Sequence, residues 1–313
     1  MKTAVVLMIV FSVASIVAAQ TSETVGIVTE IAVGRGRVEL KPASAADWRP
    51  VTPLATVRAG DTIRATADAV VVILLAGGRG TRRIDAAASP AVLDAATAES
   101  TVHKGRALVE QSLRFLSLTS KGPPKGLLAT RGPAPLPVVL GPRQALLSAA
   151  PLTFEWVGSP GRRYTVRLTG PMGIVLKRDV AGNRLPYPDG VPALERGVEY
   201  TVEVRTPGQP AQSASFYVVS AERARDVSRD LTELDSLLGS SGGSSAAVAR
   251  AGYLASQGLF HDARDVVLGA LRADAEQAAL YLLLGNIYDR IGLRAQAAEA
   301  YAEAEYLTTE KAR

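Results

Sequence analysis

The sequence predicts a multidomain fold: an all-β N-terminal domain, a small antiparallel β-sandwich, then C-terminal α-helical repeats. Three observations carry this. Apolar residues alternate at period two through the first two thirds of the chain. At Ser220 the spacing changes to three and four, the helical period. Beyond Ser245 the chain repeats itself at an offset of 34 residues. A length of 313 residues suits two or three domains, and 47% hydrophobic residues is enough to build their cores. Aromatics are only 5%, so those cores rest on Val, Leu, Ile and Ala.

Residues 1–19 read as a secretory signal peptide. One charge at Lys2 precedes an apolar run from Ala4 to Val17, and Val17-Ala18-Ala19 puts small residues before Gln20. An uncleaved anchor is the alternative; the run is short for the ~20 residues of a helical span. The chain is therefore expected to be exported, periplasmic or secreted, with no membrane span once the leader is gone. No cysteine is present, which excludes lipid attachment at Cys, disulfides and a thiol nucleophile. The net charge is +5, one unit less without Lys2. So small a charge spread over several domains argues against a nucleic-acid partner.

Residues 22–118 are expected to form the first β domain. Val25, Ile27, Ile31 and Val33 alternate with Gly26, Val28, Glu30 and Ala32, Gly34-Arg35-Gly36 offers a turn, and Val38 and Leu40 resume the pattern. The run Ala69 to Ala76 is too short to cross a membrane and fits a strand buried on both faces. Further short strands are expected around Ile84 and Val92-Leu93, and a short helix over 104–118. Residues 119–137 are rich in Pro and Gly and read as a semi-rigid linker.

Residues 138–219 read as the sandwich. Leu152, Phe154 and Trp156 alternate, as do Tyr164, Val166 and Leu168, then Tyr200, Val202 and Val204, with Phe216 and Val218 closing the set. Residues 220–238 form an amphipathic helix on Ala224, Val227, Leu231, Leu234 and Leu238, with Ser220 as N-cap and Glu222 in the first turn. Residues 239–245 read as a Gly/Ser linker and 246–310 as two helical repeats. Gly258 and Gly292, Ala263 and Ala297, Ala270 and Ala304, and Leu254 and Tyr288 all pair at the offset of 34. Small residues let antiparallel helices approach and large ones fill the groove between repeats. Two repeats bury little alone, so the 220–238 helix is expected to cap them.

Three resemblances follow from these residues. The offset of 34 is the tetratricopeptide period, and Leu284-Gly285, Tyr288, Gly292, Ala297, Tyr301 and Ala304 resemble that family's large and small positions. The first copy departs from it at Val267 and Ala251, where an aromatic and a glycine are usual. "VGIVTEIAVGRGRVEL", "WRPV" and "VRAGDTIRATADAVVVILLAGG" resemble the periplasmic FecR-type domain. "LTFEWVGSPGRRYTVRLTG", "NRLPYP" and "LERGVEYTVEV" resemble a small fibronectin type III-like or immunoglobulin-like domain. FecR-type regulators of sigma factors carry a cytoplasmic segment before their span. Here three residues precede the apolar run, so the resemblance implies the outer-facing domain without signalling apparatus.

Candidate chemistry is sparse. Asp61 follows Gly60 between apolar stretches, which is turn chemistry rather than acid–base chemistry; the two histidines, His103 and His261, fall in different predicted units and form no cluster with it. "GSSGG" (239–243) matches a hydrolase elbow but lacks the preceding strand. Arg79, Arg82 and Arg83 form a candidate anion patch without the Lys-Ser/Thr pair of a phosphate loop. Trp156 and Tyr164 could stack on sugar, though their alternation places them in the core. No metal-ligand spacing and no cofactor motif stand out. The repeats offer a groove whose second copy presents Leu282, Asn286, Asp289 and Arg290, and whose first presents Ser245, Val248, Gly252, Ala255 and Ser256.

The expectation is a non-enzymatic cell-envelope interaction or scaffold protein that binds an unidentified envelope protein through its repeats, or self-associates. The alternative is a protein that binds cell-wall or surface polysaccharide through its β domains.

Overall fold

The structure, a computed structural model, describes residues 23–94, 103–119, 137–148, 151–239 and 243–310. The expected leader lies outside the described residues, as does nearly all of the 119–137 linker. The layout is β structure followed by helices, as the change of period predicts.

The first unit has eight strands: β1 (Thr24–Ala32), β2 (Val38–Lys41), β3 (Arg49–Pro50), β4 (Thr56–Arg58), β5 (Thr62–Ala65), β6 (Val70–Leu75), β7 (Thr81–Ile84) and β8 (Ala91–Val92). They form two antiparallel sheets, ordered β4-β1-β6-β7 and β3-β2-β5-β8. Their shared core holds Val28, Val71, Ile73 and Ile84 from one sheet and Val38, Leu40 and Ile63 from the other.

β1 departs from simple alternation. Its register shifts between Thr24 and Gly26 and again between Val28 and Glu30. Each extra residue turns the following side chains to the other face. Val25 and Ile31 stay with the β core, whereas Ile27 joins the helical core. β6 lies at the centre of its sheet. Val71 and Ile73 face the β core and Leu74 the helices, which is why its apolar run is unbroken.

Asp61 is 5% exposed. Its Oδ1 accepts from the Ala43 N–H at 3.0 Å and its Oδ2 from the Arg58 N–H at 2.9 Å. Both oxygens tie loops together. Gly60 beside it has φ +84°, a conformation that favours glycine.

The second unit has eight strands, β9 (Val138–Gly141), β10 (Gln144–Leu146), β11 (Thr153–Val157), β12 (Arg163–Gly170), β13 (Gly173–Ala181), β14 (Arg184–Pro186), β15 (Glu199–Arg205) and β16 (Gln212–Val218). Sheets ordered β10-β16-β15-β12-β13 and β14-β11-β9 face each other. Every pairing is antiparallel except β10 with β16. The exception arises because the chain crosses between sheets after β9 and enters the second sheet at its edge. Phe154, Trp156, Tyr164, Val166, Leu168, Val202, Val204 and Phe216 fill the core, the same residues whose alternation marks the strands.

The helices are α1 (His103–Thr119), α2 (Ala221–Leu238), α3 (Ser244–Ser256), α4 (Phe260–Ala273), α5 (Ala278–Arg290) and α6 (Arg294–Glu310). Ser220 caps α2, its side chain accepting from the Arg223 N–H, as its position predicts. α3 and α5 begin and end 34 residues apart, and α4 and α6 begin 34 apart. The turn bonds repeat at the same offset: Gly258 N–H to Ala255 O and Gly292 N–H to Asp289 O, then Leu259 N–H to Leu254 O and Leu293 N–H to Tyr288 O.

Two placements differ from the linear reading. α1, expected to close the first β domain, does meet that unit at β1 and the turn at Ala76–Gly78, but it packs most extensively on α3 and also meets α2, and its Leu108, Val109, Leu113, Phe115 and Leu116 share one core with the helices. Ser244 and Ser245, expected in a linker, are the buried first residues of α3. In both cases a partner distant in sequence supplies the buried face.

Candidate functional site

The repeat face predicted to line a groove is built from α3 and α5, and α1 lies along it. On α3, Val248 and Ala255 are buried. At Gly252 an added Cβ would stand 3.1 Å from Leu116 Cγ. The missing side chain is what lets α1 approach so closely. On α5, Leu282 is buried in the same core, Asn286 and Asp289 are half-buried, and Arg290 is exposed. The Arg290 guanidinium sits 5.9 Å from the Phe115 ring centroid, a cation–π approach from α5 to α1. Gln257 Nε2 donates to Gln111 Oε1 at 3.1 Å, joining the C-terminal end of α3 to α1. Of the four α5 residues singled out by sequence, Leu282 is taken up by packing, and Asn286, Asp289 and Arg290 form the part that still meets solvent.

α2 covers the other side of α3. The Tyr253 hydroxyl donates to Asp230 Oδ2 at 2.8 Å, and burial together with this carboxylate pushes its pKa up. Tyr301 is also pushed up, to about 12, chiefly by burial, and its ring lies where a Cβ on Gly285 would be 2.6 Å away.

Both β units are latched to the first helical pair. Ser245 donates from N and from Oγ to Glu30 Oε1, at 2.9 and 2.7 Å, and its Oγ lies 2.8 Å from Thr29 Oγ1. A carboxylate from β1 thus meets the amide end of α3. On the opposite side, Arg264 of α4 is 4% exposed. Its Nη2 is 2.7 Å from Glu155 Oε2 on β11, and its Nη1 is 3.0 Å from Asp265 Oδ1. Asp262 Oδ2 accepts from the Leu147 N–H at 3.0 Å. Burial pushes Asp262 up to about 6, against the pull of that hydrogen bond, and burial lowers His261. Sequence reasoning missed these latches, but the repeat register holds a sign of one. The residue 34 after Arg264 is Ala298, so a charge stands where the second copy has a small apolar residue.

The arginine patch does not converge. Arg79 Nε donates to Ala76 O at 3.1 Å within its own turn. Arg82 and Arg83 are successive exposed residues of β7 and point to opposite faces of the strand. Trp156 and Tyr164 are 1% and 2% exposed and meet edge-on at 5.6 Å, so neither ring offers a face to a sugar. The "GSSGG" stretch lies between helices, and its central Ser241 is outside the described residues. Among the described residues no group of three His, Asp or Glu is placed to hold a metal ion, and no helix is long and apolar enough to cross a membrane.

No family model matches the chain. No curated protein is significantly similar to it.

Proposed function

We propose that this chain is a non-enzymatic interaction and scaffold protein of the cell envelope, exported through its leader, with a FecR-like β unit, a fibronectin type III-like sandwich and two tetratricopeptide-like repeats. It binds a partner protein through the repeats. One observation carries this reading: an amphipathic helix, α1, is seated along α3 and α5, so this face has the shape and apolar character that a helix requires.

Magnitudes decide how a partner engages. Five apolar side chains of α1 are buried here. At about 1.5–3 kcal/mol each, evicting α1 costs on the order of 10 kcal/mol. A partner therefore adds beside α1, on the strip of α5 where Asn286, Asp289 and Arg290 meet solvent, rather than replacing it. Arg290 provides a fork suited to a carboxylate.

The test is site-specific photo-crosslinking in the full chain, in its native envelope. A cross-linker at Asp289 is expected to give a discrete adduct that weakens with Arg290→Ala. A cross-linker at Asp265 on α4 serves as control. Equal labelling from both positions, or none at Asp289, refutes the reading.

A further inference from the structure

We propose that the chain binds a small anionic amphiphile, a medium-length acyl chain with one carboxylate-like head, in a cavity between the first β unit and the second helical pair. The cavity encloses about 310 Å³. That is the lower end of the range for ligand sites, and roughly twice a cavity of about 150 Å³ that holds benzene. It therefore suits a ligand of roughly a dozen heavy atoms.

The walls are apolar. Ile31 and Val33 come from the end of β1 and the turn after it, Val51 and Pro53 from the chain after β3, Ala278 from the start of α5, and Leu307 from late in α6. Neither half makes the cavity alone.

The rim selects the head group. Glu39 is already held by Arg64, Nε to Oε2 at 2.7 Å. The Thr308 hydroxyl donates to Ala304 O at 2.7 Å, within its own helix. Arg37 anchors the turn through its backbone N–H, which donates to Thr66 Oγ1 at 2.9 Å. Its guanidinium makes no ion pair among the described residues and is exposed at the mouth. A strong, multidentate cation thus stands over an apolar cavity, the complement of a hydrocarbon body ending in a negative charge. Glu276 also lines the rim. Its carboxylate offsets part of the Arg37 attraction for any anion, and about twice as much for a dianion, which favours a monoanion over a phosphate dianion. The site is separate from the α5 strip proposed for the partner protein and does not depend on that reading.

The experiment measures decanoate and decanol binding to the full chain, by displacement of the fluorescent probe 1-anilinonaphthalene-8-sulfonate and by calorimetry. Decanoate is expected to bind saturably at one site. Arg37→Gln should weaken decanoate about tenfold, the worth of one charged hydrogen bond, and leave decanol unchanged. Thr52→Trp and Ala278→Phe fill the cavity from opposite sides, and each should abolish binding of both. Thr52 is exposed, so its substitution leaves the fold intact even if the other does not. Absence of saturable decanoate binding overturns the proposal. So does binding that survives Thr52→Trp in a chain with an unchanged melting curve. Equal weakening of decanol by Arg37→Gln overturns the anionic class.

Discussion

In the first helical pair the turn glycine is Gly258 and in the second Gly292, with φ +74° and +80°. Around that shared turn the two pairs solve the same packing problem with different residues. Gly285 faces the large Tyr301 in the second pair. The equivalent positions in the first are Ala251 and Val267, both fully buried, a larger residue set with a smaller one. Gly252 corresponds to Asn286, Ser245 to Ala279 and Arg264 to Ala298. Each difference follows from what lies outside the pair. Gly252 admits α1, Ser245 meets Glu30 of β1, and Arg264 meets Glu155 of β11. The two copies differ most where other parts of the chain press on the first pair, so the first pair is the more engaged one.

The strongest way to break the contrast is at Arg264. Arg264→Ala removes a nearly buried guanidinium and the closer of two cations on Glu155, which keeps Arg184 Nε at 3.3 Å, and it leaves a cavity at the interface. Urea unfolding of the full chain is expected to show a loss of about 3 kcal/mol. The matching Ala298→Ser in the second pair should cost far less, and similar losses at both sites would contradict an engaged first pair.

A size swap sharpens the comparison next. Gly285→Ala alone drives a methyl into the Tyr301 ring and is expected to cost about 2 kcal/mol. Adding Tyr301→Val recreates the first pair's combination. The double-mutant cycle should give a favourable coupling of at least about 1 kcal/mol; strict additivity would show that the two positions do not share one volume.

Asp262 gives a pH signature of similar size. Its folded pKa, about 6, lies above the ordinary 3.8, so the folded state favours the neutral acid. Its contribution is full below about pH 4 and is lost as pH rises through 6. Asp262→Asn keeps an acceptor for the Leu147 N–H without the charge. It is expected to raise stability by about 2 kcal/mol at pH 7 and by nearly nothing at pH 4. His261 works in the opposite sense. Its pKa is lowered, so its contribution is present above about pH 6.5 and is lost as pH falls, which the Asn variant should expose as a plain acid-side decline. A gain that does not change with pH would rule out the buried charge as its source.

Helix starts provide a smaller test. Glu30→Ala removes the acceptor for two Ser245 donors and should cost about 1–2 kcal/mol. α5 has no side-chain cap at Gln277. There Gln277→Asp should gain up to about 1 kcal/mol, and thermal melts of the two variants should move in opposite directions. The smallest effect is at the arginines. Arg83→Gln on exposed β7 should change stability by less than about 0.5 kcal/mol and leave decanoate binding as it was.

Much of the fold is legible in the sequence. Alternation marked β11, β12, β15 and β16 because each has one face on the sandwich core and one towards solvent. β13 was missed. It is an edge strand with a single fully buried residue, Leu176, so it carries almost no period. β1 was read as one continuous alternation because a bulge leaves no local mark in composition. Leu282, Asn286, Asp289 and Arg290 share one helix, α5, but their openness is not legible in the sequence, because it depends on α1, which lies more than 160 residues earlier in the chain.

By itself, the sequence determined the local period of the elements with one buried face, the position of the helical turns and the repeat offset, since these depend on residues within a few turns of one another. Tertiary structure alone decided which faces stay open. It sent Ile27 and Leu74 to the helices, seated α1 on the repeats and left a cavity with Arg37 at its mouth. Burial is a property of pairs of surfaces, and a residue's own type and spacing do not say which distant surface will cover it.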